Sequence, residues 1–265
     1  MFKGFNIKYP EYEVITPQTG LSFTVRSLNV SEEESLKGSL LTPQKITNHL
    51  NSCIYDSIEK KPVHIKDYKS FLQKTTLKDR DALLYGLYHI SYEDIRNYDI
   101  TCSSCRKEYP VTVKASETFN YTPYPSKDIL TRLVKVPLPM SPGVSAYIRQ
   151  PTLFDESESI KFLGSRPNTT TETITEVLII QKFTQDVDTE KQAMEYTDQN
   201  DILDAYRTLP AKDKRIIHEK YQEEFGKYGI ALKMKTFCEH CGHDEIVDID
   251  LVSQFFRMVY SSWSG

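Results

Sequence analysis

The sequence predicts an α+β protein built from two homologous subdomains in tandem, each with a few helices and a small antiparallel sheet. Three observations support this fold class. Four short stretches recur in the same order in both halves of the 265-residue chain. Apolar residues alternate in short segments and recur every three or four residues in the segments between them. Each half ends in a CxxC pair flanked by strand-like sequence, which is typical of a zinc-ribbon hairpin.

The internal repeat sets the domain boundaries. The aligned positions are residues 16–26 with 139–149, 46–50 with 174–178, Asp79 with Asp213, and the CxxC pair at 102–105 with that at 238–241. The spacing between the copies grows slowly along the chain, as expected if the second copy carries short loop insertions. We therefore expect subdomains at 1–118 and 134–250, a linker at 119–133 and a tail helix at 251–265. The two subdomains are expected to pair about a pseudo-twofold axis.

Each unit is predicted to begin with a strand and a helix. The apolar positions of the strand alternate in both copies: Leu21, Phe23 and Val25, then Val144, Ala146 and Ile148. A helix is predicted to start at Ser31, because Glu34 stands three residues later in a capping-box spacing. The same spacing predicts the start of the second copy's helix at Asp155, with Glu158 as its partner.

Two further helices follow in each unit. The first carries Ile46, Leu50 and Ile54 at four-residue spacing, and its counterpart includes Ile174 and Leu178. The second is expected to start near Asp79 or Asp213, whose carboxylates can accept hydrogen bonds from free N–H groups. Its predicted buried residues are Leu83 and Leu87, or Ile217 and Tyr221. Cys53 lies beside Ile54 on an apolar helical face and is interpreted as core.

The two CxxC pairs indicate a structural metal site. Two thiolates from one tight turn can bind a single Zn²⁺, and two such pairs supply the four ligands of a closed tetrahedral site. We predict one zinc ion bound by Cys102, Cys105, Cys238 and Cys241. Because the site has no open position, its predicted role is to join the two halves. Two alternatives remain: reduced thiols or local disulfides without metal, and mixed ligation by His240 or His243.

No catalytic pattern is present, so the sequence predicts a protein that is not an enzyme. The phosphate-binding and hydrolase motifs GxGxxG, GxxxxGK[ST] and GxSxG are absent. The segment HEKYQ at 218–222 differs from a zinc-protease HExxH helix, because Gln222 replaces the second histidine. No run approaches 18 apolar residues, and the amino terminus lacks the apolar core of a signal peptide, so no membrane segment or export is expected.

Binding to nucleic acid is the alternative function, but the charge distribution disfavours it. The net charge is −4, without the basic excess that phosphate binding usually requires. Basic residues near the first cysteine pair favour it mildly: Arg106, Lys107 and Lys114. The second pair is followed by acidic residues that would repel phosphates: Asp244, Glu245, Asp248 and Asp250.

The order of these motifs resembles the baseplate hub and tail-assembly proteins of T-even-like contractile-tailed bacteriophages. The resemblance is carried by an Arg-bearing strand with an acidic helix start at 21–37, NSCIYDSI within 50–58, the LxxxDRxxLL-like helix at 77–88 and the CxxC hairpin at 98–113. It implies a structural or assembly protein made in the host cytoplasm and built into the tail baseplate of the virion, where it contacts other tail proteins. The second copy departs from the pattern at Phe154 and at Lys214, which replaces Arg80.

The tail is predicted to bind a partner. Residues 251–265 place Leu251, Phe255, Phe256, Val259 and Trp263 on one side of a helix. We expect Phe255, Phe256 and Trp263 to pack on the subdomain pair or on a neighbouring hub protein.

Overall fold

The computed structural model describes residues 7–38, 43–92, 95–163, 166, 169–186 and 193–249. Within these residues the protein combines short helices with small antiparallel sheets, which confirms the predicted α+β class. The predicted tail helix, with Phe255, Phe256 and Trp263, lies outside the described residues. None of the helices in the described ranges is long and apolar enough to cross a membrane.

The first half contains five strands and four main helices, with a fifth short helix and a sixth strand at its end. In chain order they are β1 (Glu11–Ile15), β2 (Ser22–Arg26), α1 (Val30–Gly38), α2 (Pro43–Asp56), β3 (Ile58–Lys60), α3 (Tyr68–Lys74), α4 (Leu77–Ser91), β4 (Ile95–Thr101), β5 (Glu108–Lys114), α5 (Ala115–Thr118) and β6 (Phe119–Thr122).

The second half presents strands and helices in a closely similar order. They are β7 (Val134–Pro137), β8 (Val144–Ile148), α6 (Leu153–Leu163), α7 (Thr171–Leu178), β9 (Ile180–Asp186), β10 (Ala193–Tyr196), α8 (Gln199–Thr208), α9 (Ala211–Tyr221), a π-helical turn (Gln222–Gly226), β11 (Gly229–Phe237) and β12 (Asp244–Ile249). The additional strand β10 lies between the counterparts of β3 and α3.

Four antiparallel sheets organise these elements. The strand orders are β1-β2-β3, β10-β9-β8-β7, β12-β11-β6 and β4-β5. Strand β6 falls within the predicted linker 119–133, yet it pairs with β11 of the second half, Leu232 opposite Phe119. The carboxyl-terminal hairpin is therefore hydrogen-bonded to the segment that connects the halves.

Each half has its own buried core, and the helices predicted from periodicity bury the expected faces. Leu83 and Leu87 are fully buried in the first core, and Ile217 lies in the second with Tyr221. Cys53 is buried in the first core, as predicted. Two residues of the second half, Leu153 and Leu232, also belong to the first core. The two halves thus share apolar packing as well as backbone pairing.

The helix starts predicted at Ser31 and Asp155 were wrong by a few residues. The cap of α1 is formed by Asn29, whose Oδ1 accepts the Glu32 N–H at 3.1 Å while Glu32 Oε2 accepts the Asn29 N–H at 2.9 Å. The equivalent cap of α6 is Thr152, paired in the same way with Asp155. In each copy an arginine holds the acidic partner, so the cap forms three residues before that acid.

These arginine pairs and the buried aspartates occur at matching positions of the two halves. Arg26 Nη2 donates to Glu32 Oε1 at 2.6 Å, and Arg149 Nη1 donates to Asp155 Oδ2 at 2.7 Å. Asp79 accepts the Gln18 N–H at 2.8 Å and the Thr19 hydroxyl at 2.8 Å, so it fastens α4 to the β1–β2 turn.

Asp213 makes the corresponding contacts in the second half. It accepts the Met140 N–H at 3.0 Å and the Ser141 hydroxyl at 2.8 Å, which fastens α9 to the β7–β8 turn. Both aspartates are fully buried. Gly20 and Gly143 have φ values of 67° and 79° in the two turns, where glycine avoids the strain of a side chain.

Outside the cysteine hairpins each half has a body, β1 to α4 in the first and β7 to the π-helical turn in the second. The expected pseudo-twofold axis does not relate these two bodies. Helix α6 packs against α2 and α3, but within the described residues α1 makes no comparable contact with α7 or α8, as reciprocal packing would require. Instead, the Leu153 N–H donates to the Thr75 carbonyl at 3.0 Å. Arg80 of α4 pairs with Glu156 of α6, its Nη2 lying 3.1 Å from Oε1.

Buried glutamines complete this interface. Gln18 Nε2 donates to the carbonyl oxygens of Phe225 and Tyr228, both at 3.1 Å. Gln150 Oε1 accepts the Tyr221 hydroxyl at 2.9 Å and lies 3.4 Å from Gln18 Nε2. The two donations from Gln18 Nε2 favour this relative orientation, because an orientation that removes their acceptors would leave a buried donor unsatisfied.

Candidate metal centre

The four cysteines predicted as ligands meet at one point. All four Sγ atoms of Cys102, Cys105, Cys238 and Cys241 lie within 4.8 Å of one another. The two pairs that cross between the halves, Cys102 with Cys241 and Cys105 with Cys238, have the same Sγ–Sγ separation of 3.7 Å. The structure therefore brings together residues from the two halves of the chain that could hold a metal ion.

Each CxxC pair lies in a tight turn with the same backbone hydrogen bonds. The Cys102 N–H donates to the Lys107 carbonyl at 2.9 Å, and the Arg106 N–H donates to the Cys102 carbonyl at 3.0 Å. In the second turn the Cys238 N–H donates to the His243 carbonyl at 2.9 Å, and the Gly242 N–H to the Cys238 carbonyl at 2.7 Å. Both turns connect paired strands, β4 with β5 and β11 with β12.

The residue after the second cysteine of each turn adopts a left-handed conformation. Gly242 has φ 69°, and Arg106 has φ 64°. A residue with a Cβ atom is strained in this region by roughly 1–2 kcal/mol, whereas glycine is not. The first turn thus has the same geometry as the second without the residue type that best supports it.

A small apolar cluster surrounds the thiols. Cys102 and Cys238 are fully buried and pack with Tyr109, Val111 and Val113 of β5. Cys105 is half-buried and Cys241 is exposed. One ligand from each pair therefore lies inside the cluster and the other lies toward its edge.

Tyr109 and Glu245 form a contact between the hairpins that sequence reasoning missed. The Tyr109 hydroxyl donates to Glu245 Oε1 at 2.8 Å, and Glu245 Oε2 accepts the Ser103 N–H at 3.3 Å. The two residues stand at the same distance from the first cysteine of their own pairs, so the alignment of the copies could have identified them. The charge pattern alone indicates for Glu245 only a repulsion of phosphates.

Local hydrogen bonds perturb the thiols at the centre. The Cys105 N–H, followed by that of Ser104, lowers the pKa of the Cys102 thiol to about 7. At Cys241 the His243 N–H lowers the pKa, but partial desolvation of the sulfur and the three neighbouring thiols outweigh it and raise the pKa to about 12. The Cys241 thiol therefore stays protonated at neutral pH unless a cation binds its thiolate.

The geometry of the four thiols is compatible with a tetrahedral metal ion. Four thiolates at about 2.3 Å from one zinc ion stand roughly 3.8 Å apart, close to the two crossing separations. A disulfide requires about 2.05 Å between sulfurs, and all five cysteines are free thiols here. Mixed histidine ligation receives no support among the described residues, since no histidine joins this group and His240 Nε2 lies 3.0 Å from the Glu108 carbonyl oxygen.

Comparison with known proteins identifies the class of this chain. A family model described as T4 bacteriophage base plate protein matches residues 9–257. Because the match covers most of the sequence, the chain belongs to that family, and the resemblance to T-even-like baseplate proteins is confirmed. Membership indicates a structural protein of the phage tail baseplate that contacts other tail proteins. No curated protein and no solved structure matches the chain.

Proposed function

We propose that this protein is a non-enzymatic component of the baseplate hub, an adaptor between tail proteins whose two halves are joined by one structural zinc ion. The observation that carries the proposal is the convergence of four thiols contributed equally by two hairpins, one from each half of the chain. A metal ion bound between distant segments stabilises one folded arrangement of the two halves.

Zinc is the metal that this donor set favours. Soft thiolate ligands in a tetrahedral arrangement select Zn²⁺ or an iron–sulfur centre over the hard cations, which prefer oxygen. Four protein ligands leave no position for water or substrate, so the ion would stabilise the fold and supply no catalysis. Cys102, Cys105, Cys238 and Cys241 would each contribute one thiolate.

Duplication of one unit accounts for the arrangement of the fold. Residues that align between the copies make equivalent interactions, namely the arginine–carboxylate pairs, the buried aspartates under the first turn of each half, and the two cysteine turns. We propose subdomains at 1–118 and 134–250 connected through 119–133. Two copies of a hairpin that each supplies half of a metal site require one another, which favours their retention in one chain.

The tail is proposed as a second contact with a partner. Phe255, Phe256 and Trp263 would form its apolar side, either on this protein or on a neighbouring hub protein. Deletion of 251–265, followed by thermal unfolding and pull-down with purified baseplate proteins, separates these cases. Loss of stability alone indicates internal packing, loss of binding alone indicates a partner, and no change in either contradicts the proposed contact.

Incorporation into the particle tests the proposed function. Phage that produce Cys238→Ser are compared with phage that produce Cys53→Ala, in which a buried thiol outside the metal centre is changed. We expect mass spectrometry of purified baseplates to find the Cys53→Ala protein with its hub neighbours and the Cys238→Ser protein strongly depleted. Equal incorporation of the two variants would contradict a structural role for the metal centre in the hub.

A further inference from the structure

An open cleft of about 520 Å³ lies between the two bodies. Helix α4 of the first body and helices α7 and α9 of the second body contribute to its walls. Its apolar lining consists of Leu77, Pro151, Leu178, Ile179 and Tyr221. Concave sites with an apolar lining at the boundary between two structural units are typical places for binding. This site is referred to below as the interbody cleft.

The rim of the interbody cleft carries carboxylates without a cationic partner. Glu172 and Glu176 of α7 line the cleft, the first exposed and the second half-buried. Within the described part of the chain neither forms an ion pair. The lysine and the arginine that line the cleft already pair with acids, as Lys78–Asp81 and Arg80–Glu156. The α7 side of the cleft therefore has an uncompensated negative charge.

The two carboxylates act on the same part of the cleft. Glu172 and Glu176 stand four residues apart, which places them on one face of α7. Burial, followed by Glu176 and then Glu172, raises the pKa of Tyr206 above its ordinary value. The Tyr206 hydroxyl lies 3.0 Å from Nε2 of His218, which also lines the cleft. One cationic side chain at this rim could therefore contact both carboxylates.

The last described strand leads toward the cleft. Strand β12 runs antiparallel to β11, with Ile249 opposite Leu232. Its direction therefore points toward Gly229, the first residue of β11, roughly 10 Å from Leu232 along the strand. Gly229 lies against Lys78 of the cleft, since a Cβ added there would be 3.2 Å from Lys78 Cδ. Residues 250–254 could span up to about 17 Å, so the chain that follows can reach the cleft of its own molecule.

The tail has a composition that matches the cleft. Arg257 is the one charged residue in 251–265, and Phe255, Phe256, Met258 and Val259 flank it. The apolar side chains can cover the apolar lining, while the long arginine side chain extends its charged end to the rim. Charge complementarity of this kind selects one site among several apolar surfaces.

We propose that residues 251–265 occupy the interbody cleft of their own chain, with Arg257 beside Glu172 and Glu176. The inference rests on the proposed contact of the tail and selects one of its two sites, the one on this protein. Because α4 and α7 belong to different bodies, the docked tail contacts both and stabilises their relative position. This contribution does not depend on the metal ion.

Fluorescence of Trp263 tests the proposal in the full metal-bound chain, because Trp263 is its only tryptophan. Acrylamide quenching is compared with that of the same chain unfolded in urea. We expect strong protection in the wild type at every protein concentration, and quenching close to that of the unfolded chain in Arg257→Glu. Glu172→Lys combined with Glu176→Lys should have the same effect. All three substitutions together should restore the protection, because the charges are then exchanged.

The matched control reverses two acids at another groove. Asp201 and Asp204 of α8 line a separate groove in the second half. Asp201 stands in the first turn of its helix, as Glu172 does, so the two double variants disturb their helices in a comparable way. Asp201→Lys combined with Asp204→Lys should protect Trp263 as the wild type does. Arg257→Glu changes no residue of either body, so its result decides the proposal even if a double variant fails to fold.

The remaining outcomes overturn the proposal. A wild type in which Trp263 is quenched as in the unfolded chain has no docked tail, and protection that disappears on dilution places the tail on a second copy. Protection that persists in Arg257→Glu, or that is lost equally in the control, contradicts the cleft as the site. Zinc content, baseplate incorporation and pull-down with hub proteins are measured separately, so the proposed function stands or fails on its own tests.

Discussion

The two hairpins of this protein meet through equivalent groups, and the two bodies behind them do not. Across the hairpins, Cys102 faces Cys241 and Cys105 faces Cys238 at the same 3.7 Å. Across the bodies, α6 packs on α2 and α3 with no counterpart from α1 in the described part of the chain. A shared tetrahedral site favours a symmetric arrangement of its two ligand pairs, whereas apolar packing imposes no such condition.

The bodies have diverged where they touch. Leu153 and Arg80 hold the internal interface, while the aligned positions carry Val30 and Lys214, a smaller side chain and a weaker carboxylate partner. Each half also has a contact of its own that both copies retain. In both, a buried aspartate, Asp79 or Asp213, fastens a helix to the first turn of the same half. The two interface positions therefore differ between the copies, whereas the buried aspartate is the same in both.

Loss of a cysteine is the largest expected effect. Cys102→Ser and Cys238→Ser should each lower the free energy of unfolding by about 4 kcal/mol or more, less than the roughly 10–16 kcal/mol by which zinc folds isolated finger peptides, because two apolar cores remain. The double variant should cost little more than either single one, since both remove the same site. Denaturant unfolding measures the three losses. Cys53→Ala is the control: it keeps all four ligands, so its stability should still fall when a chelator is added, whereas that of the cysteine-to-serine variants should not.

A loss in the double variant that is close to the sum of the two single losses would show that the hairpins bind separate ions. In that case the two hairpins would not depend on one another, and their symmetric arrangement would not come from a shared metal ion.

The arginine at the body interface should matter far more than its counterpart. Arg80→Met breaks a largely buried ion pair and leaves Glu156 without its partner, so we expect a loss of about 2–4 kcal/mol. Lys214→Met should cost under about 0.5 kcal/mol. Urea unfolding of both variants measures the difference. Equal losses would contradict the proposed difference between Arg80, which holds the interface, and Lys214, which does not.

The cap of α6 should make the protein sensitive to acid. Burial acts to raise the pKa of Asp155, but Arg149 and the Thr152 donors outweigh it and hold the pKa below its ordinary value of 3.8. A lowered pKa stabilises the folded state above pH 3.8, and this contribution disappears as the pH falls through the folded-state value. Asp155→Asn should therefore cost about 1–2 kcal/mol at pH 7, because hydrogen bonds to a charged group are lost.

The stability difference between wild type and Asp155→Asn should shrink as the pH falls below about 4. Both proteins lose thiolate ligands in acid, so only the difference between their unfolding curves reports on this cap. A difference that stays constant over this range would assign the loss to packing instead of charge.

The left-handed residues of the two cysteine turns give the smallest expected effects. Gly242→Ala should lower stability by about 1 kcal/mol through backbone strain alone, because open space surrounds the position of the added Cβ. Arg106→Gly relieves the same strain, but glycine also raises the conformational entropy of the unfolded chain. The net result should be a rise in stability of up to about 0.5 kcal/mol. Thermal unfolding of the metal-bound proteins measures both, and shifts of the same sign would contradict the equivalence of the turns.

The sequence predicted the fold class and the grouping of the four cysteines, because both predictions depend on local patterns. Alternation in β2 and β8 and the CxxC spacing are visible within a few residues. The caps were misplaced because Asn29, Ser31 and Thr152 all belong to cap-forming types, and only the arginine contacts select among them.

These local patterns did not predict the interface between the bodies. Gln18 reaches Phe225 and Tyr228, and Arg80 reaches Glu156, across separations that leave no periodic signal. A buried glutamine in a turn is indistinguishable from an exposed one until its partners are placed. Strand β6 was included in a linker for the same reason, because its partner β11 lies far along the chain.

The metal content of the purified chain tests the central claim most directly. Elemental analysis together with protein quantification should give one zinc ion per chain, and Cys102→Ser, Cys238→Ser and the double variant should all give none. Two zinc ions per chain, or a wild-type protein that folds with none, would contradict a single site shared by the two hairpins.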